Sequence, residues 1–258
     1  MLNKEIPKGK LERIKLVVLD SDGVIVPRGT TITENEDANR YYVKVETHKI
    51  TQNLADKINK LREKIKVCVS SGRGLIYLQS MYSRIVGDST IFQAENGNLS
   101  LIGGKIVQHF NYSEDYFKKI ASIRNEVMAI KNRNSSILGF EPKQFILTIF
   151  ASEEVKQIYE IVKKYDEEKE LKVMWNGEAF DIQKKDISKG EGLKRLLKNL
   201  HIKKEEVIAI GDRLNDKELL ETAGIGVSAD KDELPMEYWT VGKGFPGEIL
   251  VDYLLKEL

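Results

Sequence analysis

The clearest pattern along the chain is a set of short, unbroken apolar runs, each ending in a cluster of polar residues. Leu16-Val17-Val18-Leu19 runs into Asp20-Ser21-Asp22-Gly23. Val67-Cys68-Val69 runs into Ser70-Ser71-Gly72-Arg73, and Val207-Ile208-Ala209-Ile210 into Gly211-Asp212-Arg213-Leu214-Asn215-Asp216. Runs of this length without alternation predict strands buried on both faces, as in a parallel sheet. Between them the spacing turns helical: Leu54, Ile58, Leu61 and Ile65 follow the cap residue Thr51, a second helix covers 75–84, and Leu193, Leu196, Leu197 and Leu200 mark another. Thr90 to Gln93 predicts a further strand, and Leu99 to Val107 a hairpin turning at Gly103-Gly104. Residues 24–33 carry the turn signal Pro27-Arg28-Gly29 and read as a small hairpin or flap; 34–50 give no clear pattern beyond a short strand at 41–45.

The middle of the chain changes character. Tyr116, Ile120, Ile123, Val127 and Ile130 predict a helix, 145–150 a strand, and Ser152 caps a helix marked by Val155, Ile158, Val162 and Tyr165. Strands at 171–175 and 180–183 flank the Asn176-Gly177 turn. This module is too long and too structured for a loop of a βα unit. The expected architecture is therefore α/β, a Rossmann-like parallel-sheet core with an inserted α+β cap domain: core 1–109, cap 110–183, core 184–258.

Composition narrows the function classes. The 258 residues are 41% hydrophobic and 31% charged, with 41 Lys and Arg against 40 Asp and Glu. So even a balance gives no support for nucleic-acid or acidic-membrane binding. The single cysteine, Cys68, lies inside an apolar run and reads as a small buried hydrophobe. The N-terminal residues lack a secretory pattern and no run is long enough to span a membrane, so a cytoplasmic location is expected. His48, His109 and His201 show no metal-ligand spacing and read as surface or packing residues. Arg133, Lys143 and Asn176 in the cap read as solvated surface residues.

In a parallel sheet the three polar strand ends share one edge, where open α/β sheets bind ligands. That edge would hold the carboxylates of Asp20, Asp22, Asp212 and Asp216, the hydroxyls of Ser70 and Ser71, and Lys189. Oxygen donors without thiolates suit Mg²⁺, and hydroxyl, amides and lysine suit a phosphate. Taken singly, each piece has a plainer reading: a helix cap, an ordinary turn, a surface lysine.

Together the motifs resemble the haloacid dehalogenase superfamily of phosphatases. Asp20-Ser21-Asp22-Gly23-Val24 resembles its first motif, Ser71-Gly72-Arg73 the second, Lys189-Gly190 the third and Gly211-Asp212-x-x-Asn215-Asp216 the fourth. Val24 stands where many members have threonine. Glu95-Asn96-Gly97 and the insertion between the second and third motifs resemble the subgroup with a C2-type cap, as in Cof-like sugar phosphatases and archaeal phosphoglycolate phosphatases.

The resemblance implies a Mg²⁺-dependent phosphatase acting on a small phosphorylated metabolite, with the cap closing over it. Asp20 would be the nucleophile and Asp22 the acid/base. Ser71, Gly72 and Lys189 would bind the phosphoryl group. Asp20, the main-chain carbonyl of Asp22, Asp212 and Asp216 would hold Mg²⁺. Asn215 would support the acids, and Arg73 would contact phosphate or cap, or pair with a motif acid. A phosphomutase or phosphotransferase on a sugar phosphate, and a non-catalytic phosphate-binding module, are the alternatives.

Overall fold

The structure is a computed structural model and describes residues 1–36 and 39–258. In chain order, α1 (Lys8–Leu11) leads to β1 (Leu16–Asp20), and then to a hairpin of β2 (Thr31–Glu36) and β3 (Tyr41–Glu46). There follow α2 (Gln52–Leu61), β4 (Lys66–Ser70), α3 (Leu75–Met81), β5 (Thr90–Ala94), β6 (Leu99–Ile102) and β7 (Lys105–Gln108). The next segment contains α4 (Glu114–Lys131), β8 (Ile137–Glu141), β9 (Leu147–Ala151), α5 (Lys156–Tyr165), β10 (Leu171–Trp175) and β11 (Ala179–Lys184). The chain closes with α6 (Lys189–Leu200), β12 (Val207–Gly211), α7 (Lys217–Thr222), β13 (Ile225–Ser228), β14 (Tyr238–Trp239) and α8 (Pro246–Glu257).

Two compact units result. The first comprises residues 1–28, 48–109 and 187–258; the second comprises 29–47 and 110–186. The first is built on an eight-stranded sheet in the order β14-β13-β12-β1-β4-β5-β6-β7. Strands β14 to β5 along that order pair in parallel, and β6 and β7 pair antiparallel at one side. Leu16, Val17, Val18 and Leu19 of β1 are fully buried, each apolar side chain contributing about 1.5–3 kcal/mol by leaving water. From β1 the chain moves to β4 and β5 on one side, and it returns to β12 and β13 on the other. The topological switch point therefore lies between β1 and β12, where doubly wound sheets form their crevice. The polar ends of both strands meet there.

The second unit is a four-stranded antiparallel sheet, β10-β11-β9-β8, with α4 and α5 packed on it through Ile123, Val127, Ile149, Ile158, Phe180 and Ile182. Strand β8 is not predicted by the residue pattern, and α5 begins at Lys156 with Val155 at its N-cap, so Ser152 is not the cap of this helix.

The small hairpin expected at 24–33 lies further on. Residues 31–36 and 41–46 form it, in register from Thr31↔Glu46 to Glu36↔Tyr41. It groups with the second unit and not with the surrounding first segment expected to span 1–109, because its inner side packs there. Ile32 meets Phe150 and Ala179, with Val43 and Val45 alongside. Glu34, its carboxylate shut off from solvent, accepts from Arg124 at 3.2 Å, Lys131 at 3.3 Å and the main-chain N–H of Phe140 at 3.2 Å. The residues that had no assigned structure are thus largely a second insertion joined to the first.

Candidate active site

Strand β1 ends at Asp20, which aligns with Ser70 of β4; one strand further in the opposite direction, β12 ends at Gly211 and releases Asp212. Lys189 enters from the first turn of α6, whose N-cap Ser188 accepts from the N–H of Glu191. Its ammonium donates to Asp20 Oδ1 at 2.5 Å and to Asp216 Oδ1 at 2.6 Å, all three groups nearly closed to solvent. A 3₁₀ turn at Leu214–Asp216 points Asp216 inward, where its Oδ2 accepts from the main-chain N–H groups of Asp212 at 3.2 Å and Arg213 at 3.4 Å. The same turn leaves Asn215 exposed, without a side-chain hydrogen bond to the acids among the described residues.

Asp20, Asp212 and Asp216 each place one carboxylate oxygen within 4.8 Å of the others. Three acids so close oppose one another's ionisation. Burial first, and then the charge of Asp216, push the Asp20 carboxyl up to about 8 against the pull of Lys189. Burial alone would lower the Lys189 ammonium, but Asp20 and Asp216 together raise it. Asp212 is likewise raised by burial and held back by Arg28, whose Nη2 donates to Asp212 Oδ2 at 2.5 Å. Asp212 Oδ1 is buried and has no hydrogen-bond partner among the described residues.

An orphaned carboxylate oxygen among crowded oxygen donors is what a hard divalent cation would satisfy, so the donor set fits Mg²⁺. Asp22 stands apart from this triple: both of its oxygens accept from Arg73, at 2.9 Å from Nε and 2.7 Å from Nη2. Of the contacts open to Arg73, the ion pair with a motif acid is present. Ser71, buried after β4, accepts through Oγ from the N–H of Arg73 at 3.2 Å and donates its own N–H to the carbonyl of Gln93. Gly72 follows it in the same turn. Ser70 is occupied elsewhere, donating to Gln93 Oε1 at 3.0 Å.

Two site contacts were invisible in the sequence. One is Arg28, read only as part of a turn. The other is Tyr82, whose hydroxyl lies 2.6 Å from the Oγ of Ser21, the residue between the two acids; both are fully buried. His109 is a packing residue, its Nε2 2.9 Å from Ser100 Oγ, while His48 and His201 are exposed. In the second unit Arg133 and Asn176 are exposed. Lys143 is not: its ammonium pairs with Glu141 at 3.1 Å and Asp181 at 3.5 Å, with its side chain almost fully covered.

Parallel sheet, switch-point acids and a separate antiparallel unit together define a doubly wound α/β fold with an insertion. The family described as haloacid dehalogenase-like hydrolase matches residues 111–231. Over that stretch, just under half of its length, the chain resembles the haloacid dehalogenase-like hydrolases. Phosphatase YwpJ of Bacillus subtilis is 45% identical over 67 residues, 26% of this chain and 24% of that protein. Phosphoglycolate phosphatase 1 of Saccharolobus solfataricus is 28% identical over 252 residues, 94% of this chain and 96% of the relative. A solved phosphatase of the haloalkanoate (HAD) enzyme superfamily from Bacteroides thetaiotaomicron shares the fold. It covers 99% of this chain and 100% of its own, with a TM-score of 0.66 at 20% identity. Among the described residues no helix is long and apolar enough to cross a membrane.

Proposed function

We propose that this chain is a Mg²⁺-dependent phosphatase that hydrolyses a small phosphorylated metabolite, of the sugar-phosphate or phosphoglycolate class, through an aspartyl-phosphate at Asp20. The observation that carries the reading is the Lys189 bridge between Asp20 and Asp216 beside the unpartnered Asp212 Oδ1. It joins residues 20, 189, 212 and 216 into one charged cluster at the switch point. Names borne by relatives, phosphatase in one case and phosphoglycolate phosphatase in another, agree with it.

In this reading an Asp20 carboxylate oxygen attacks phosphorus as the bond from phosphorus to the ester oxygen breaks, and the departing oxygen takes a proton from Asp22. In the second step Asp22 accepts a proton from water, the water oxygen bonds to phosphorus, and the bond to Asp20 breaks, releasing inorganic phosphate. Both Asp22 oxygens accept from Arg73. The first step therefore requires Asp22 to exchange Arg73 for the leaving oxygen. Lys189 keeps its charge fixed against the cluster and offers it to the transferring group without reorganisation. The N–H groups and hydroxyl of the Ser71-Gly72 turn would hold the phosphoryl oxygens. Asp20, Asp212, Asp216 and the carbonyl of Asp22 would hold Mg²⁺, which when bound screens the repulsion between carboxylate nucleophile and phosphate.

The test is a screen of phosphorylated metabolites with Mg²⁺, with p-nitrophenyl phosphate as a generic substrate. Release of phosphate by the wild type, and its loss in Asp20→Asn, is the expected result. No release from any substrate would overturn the reading.

A further inference from the structure

Pro27-Arg28-Gly29 reads from sequence as a turn, yet the Arg28 side chain turns back to the strand ends. Its Nη2 donates to Asp212 Oδ2 at 2.5 Å, and the charges of Asp20 and Asp22 also act on it. Among the described residues only one oxygen of Asp212 is engaged: Oδ1 is buried without a partner there, and this carboxylate belongs to the triple with Asp20 and Asp216. We propose that Arg28 is a positioning residue for the cation site, fixing Asp212 through Oδ2 so that Oδ1 is kept as the ligand atom. The proposal rests on the metal reading given above.

The approach of Arg28 is built into the backbone. Gly23 has a φ of +85°, and a Cβ there would come within 2.4 Å of Asp212 Oδ2 and 2.9 Å of Arg28 Nε. Any side chain at Gly23 would displace the pair, so the glycine serves the arginine's path as well as the turn. An arginine suits the work because its rigid planar guanidinium fixes the direction of the N–H it presents to Oδ2, whereas a lysine supplies a point charge on a flexible stem. Arg28 and Asp212 are both partly shielded, with side chains 33% and 12% exposed, so the contact is only weakly screened.

A simple charge competitor would behave in the opposite way. Removing a positive charge beside a cation site tightens cation binding by Coulomb's law. Removing the group that orients a ligand weakens it, by about 10–100-fold for outer partners of metal ligands. That Arg28 takes one oxygen and leaves the other points to orientation.

The experiment is titration of the substrate-free protein with Mn²⁺, followed by the EPR signal of the free ion, and with Mg²⁺ by calorimetry. Wild type, Arg28→Ala, Arg28→Lys and Asp212→Asn are compared, with circular dichroism confirming the fold of each. The expected result is affinity about 10–100-fold weaker in Arg28→Ala and partly recovered in Arg28→Lys. Equal or tighter binding by Arg28→Ala, with Asp212→Asn still weakened, overturns the role of Arg28 alone. Equal affinity of Asp212→Asn and wild type, or no binding by wild type, overturns the metal reading and with it this proposal.

Discussion

Ser21 occupies the position between Asp20 and Asp22, and its hydroxyl is shared with that of Tyr82 inside the core. A buried hydroxyl left unpaired costs about 1–3 kcal/mol, so Tyr82→Phe should lower stability by that order in denaturant unfolding. Because the bond anchors the loop carrying both acids, it should also lower kcat several-fold with little change in KM. Ser21→Ala combined with Tyr82→Phe should cost less than the two separately, since each removes the same bond. His109 supplies a pH prediction. Burial, and secondarily Arg195, lower it from 6.5 to about 4. Between these values the unfolded chain binds a proton that the folded chain does not, so stability falls as pH drops through this window. Urea unfolding from pH 7 to pH 4 should show that slope, flattened in His109→Gln. The sequence was informative wherever chemistry is local: Asp20, Asp22, Asp212 and Asp216 sit in short motifs after apolar strands, and Lys189 in one at a helix start. Arg28 and Tyr82 were missed because their partners lie 184 and 61 positions away, and the turn and helix in which they were read say nothing of such distant contacts.

Helix α6 shows how an element delivers a single charge. Lys189 reaches Asp20 because the start of the helix lies against the turn after β5. A Cβ on Gly192 would stand 2.4 Å from the Cα of Gly97, and one on Gly97 would stand 2.6 Å from the Cα of Gly192. Gly192→Ala must push the helix away. It should destabilise by about 1–3 kcal/mol, the usual cost of overpacking, and should depress phosphate release beyond what the lost stability explains. The hairpin β2–β3 is clasped by Glu34. Removing one partner of a buried ion pair costs about 3–5 kcal/mol, so Glu34→Ala should lower the unfolding midpoint sharply, with the loss tracked by hydrogen exchange in 31–46 and 137–141. The same residue explains why this region was illegible. Ile32, Val43 and Val45 fit an alternating strand pattern, but the inward position 34 carries a carboxylate, which breaks it. Strand β8 was hidden for a related reason: Gly139 lies in its middle, where a Cβ would come 3.0 Å from Glu34 Cβ, and glycine weakens any strand signal.

For the whole molecule, the apolar runs of β1, β4 and β12 were enough to define the α/β class, since unbroken apolar strands require cover on both faces. The second unit was legible as an insertion from its length and mixed helix and strand patterns. That it draws in residues 29–47 was not, because nothing local in a hairpin says which sheet it will pack against. At this scale the cation is the clearest lever. Chelation with EDTA should stop phosphate release and Mg²⁺ should restore it, with no change in the far-ultraviolet dichroism. Acid-quenching the protein during turnover of p-nitrophenyl phosphate and locating the modification by mass spectrometry tests whether Asp20 carries the phosphoryl group. One phosphoryl mass on the peptide containing Asp20, absent in Asp20→Asn, is the predicted result; turnover by Asp20→Asn at the wild-type rate, or a phosphoryl group on any other residue, would contradict it.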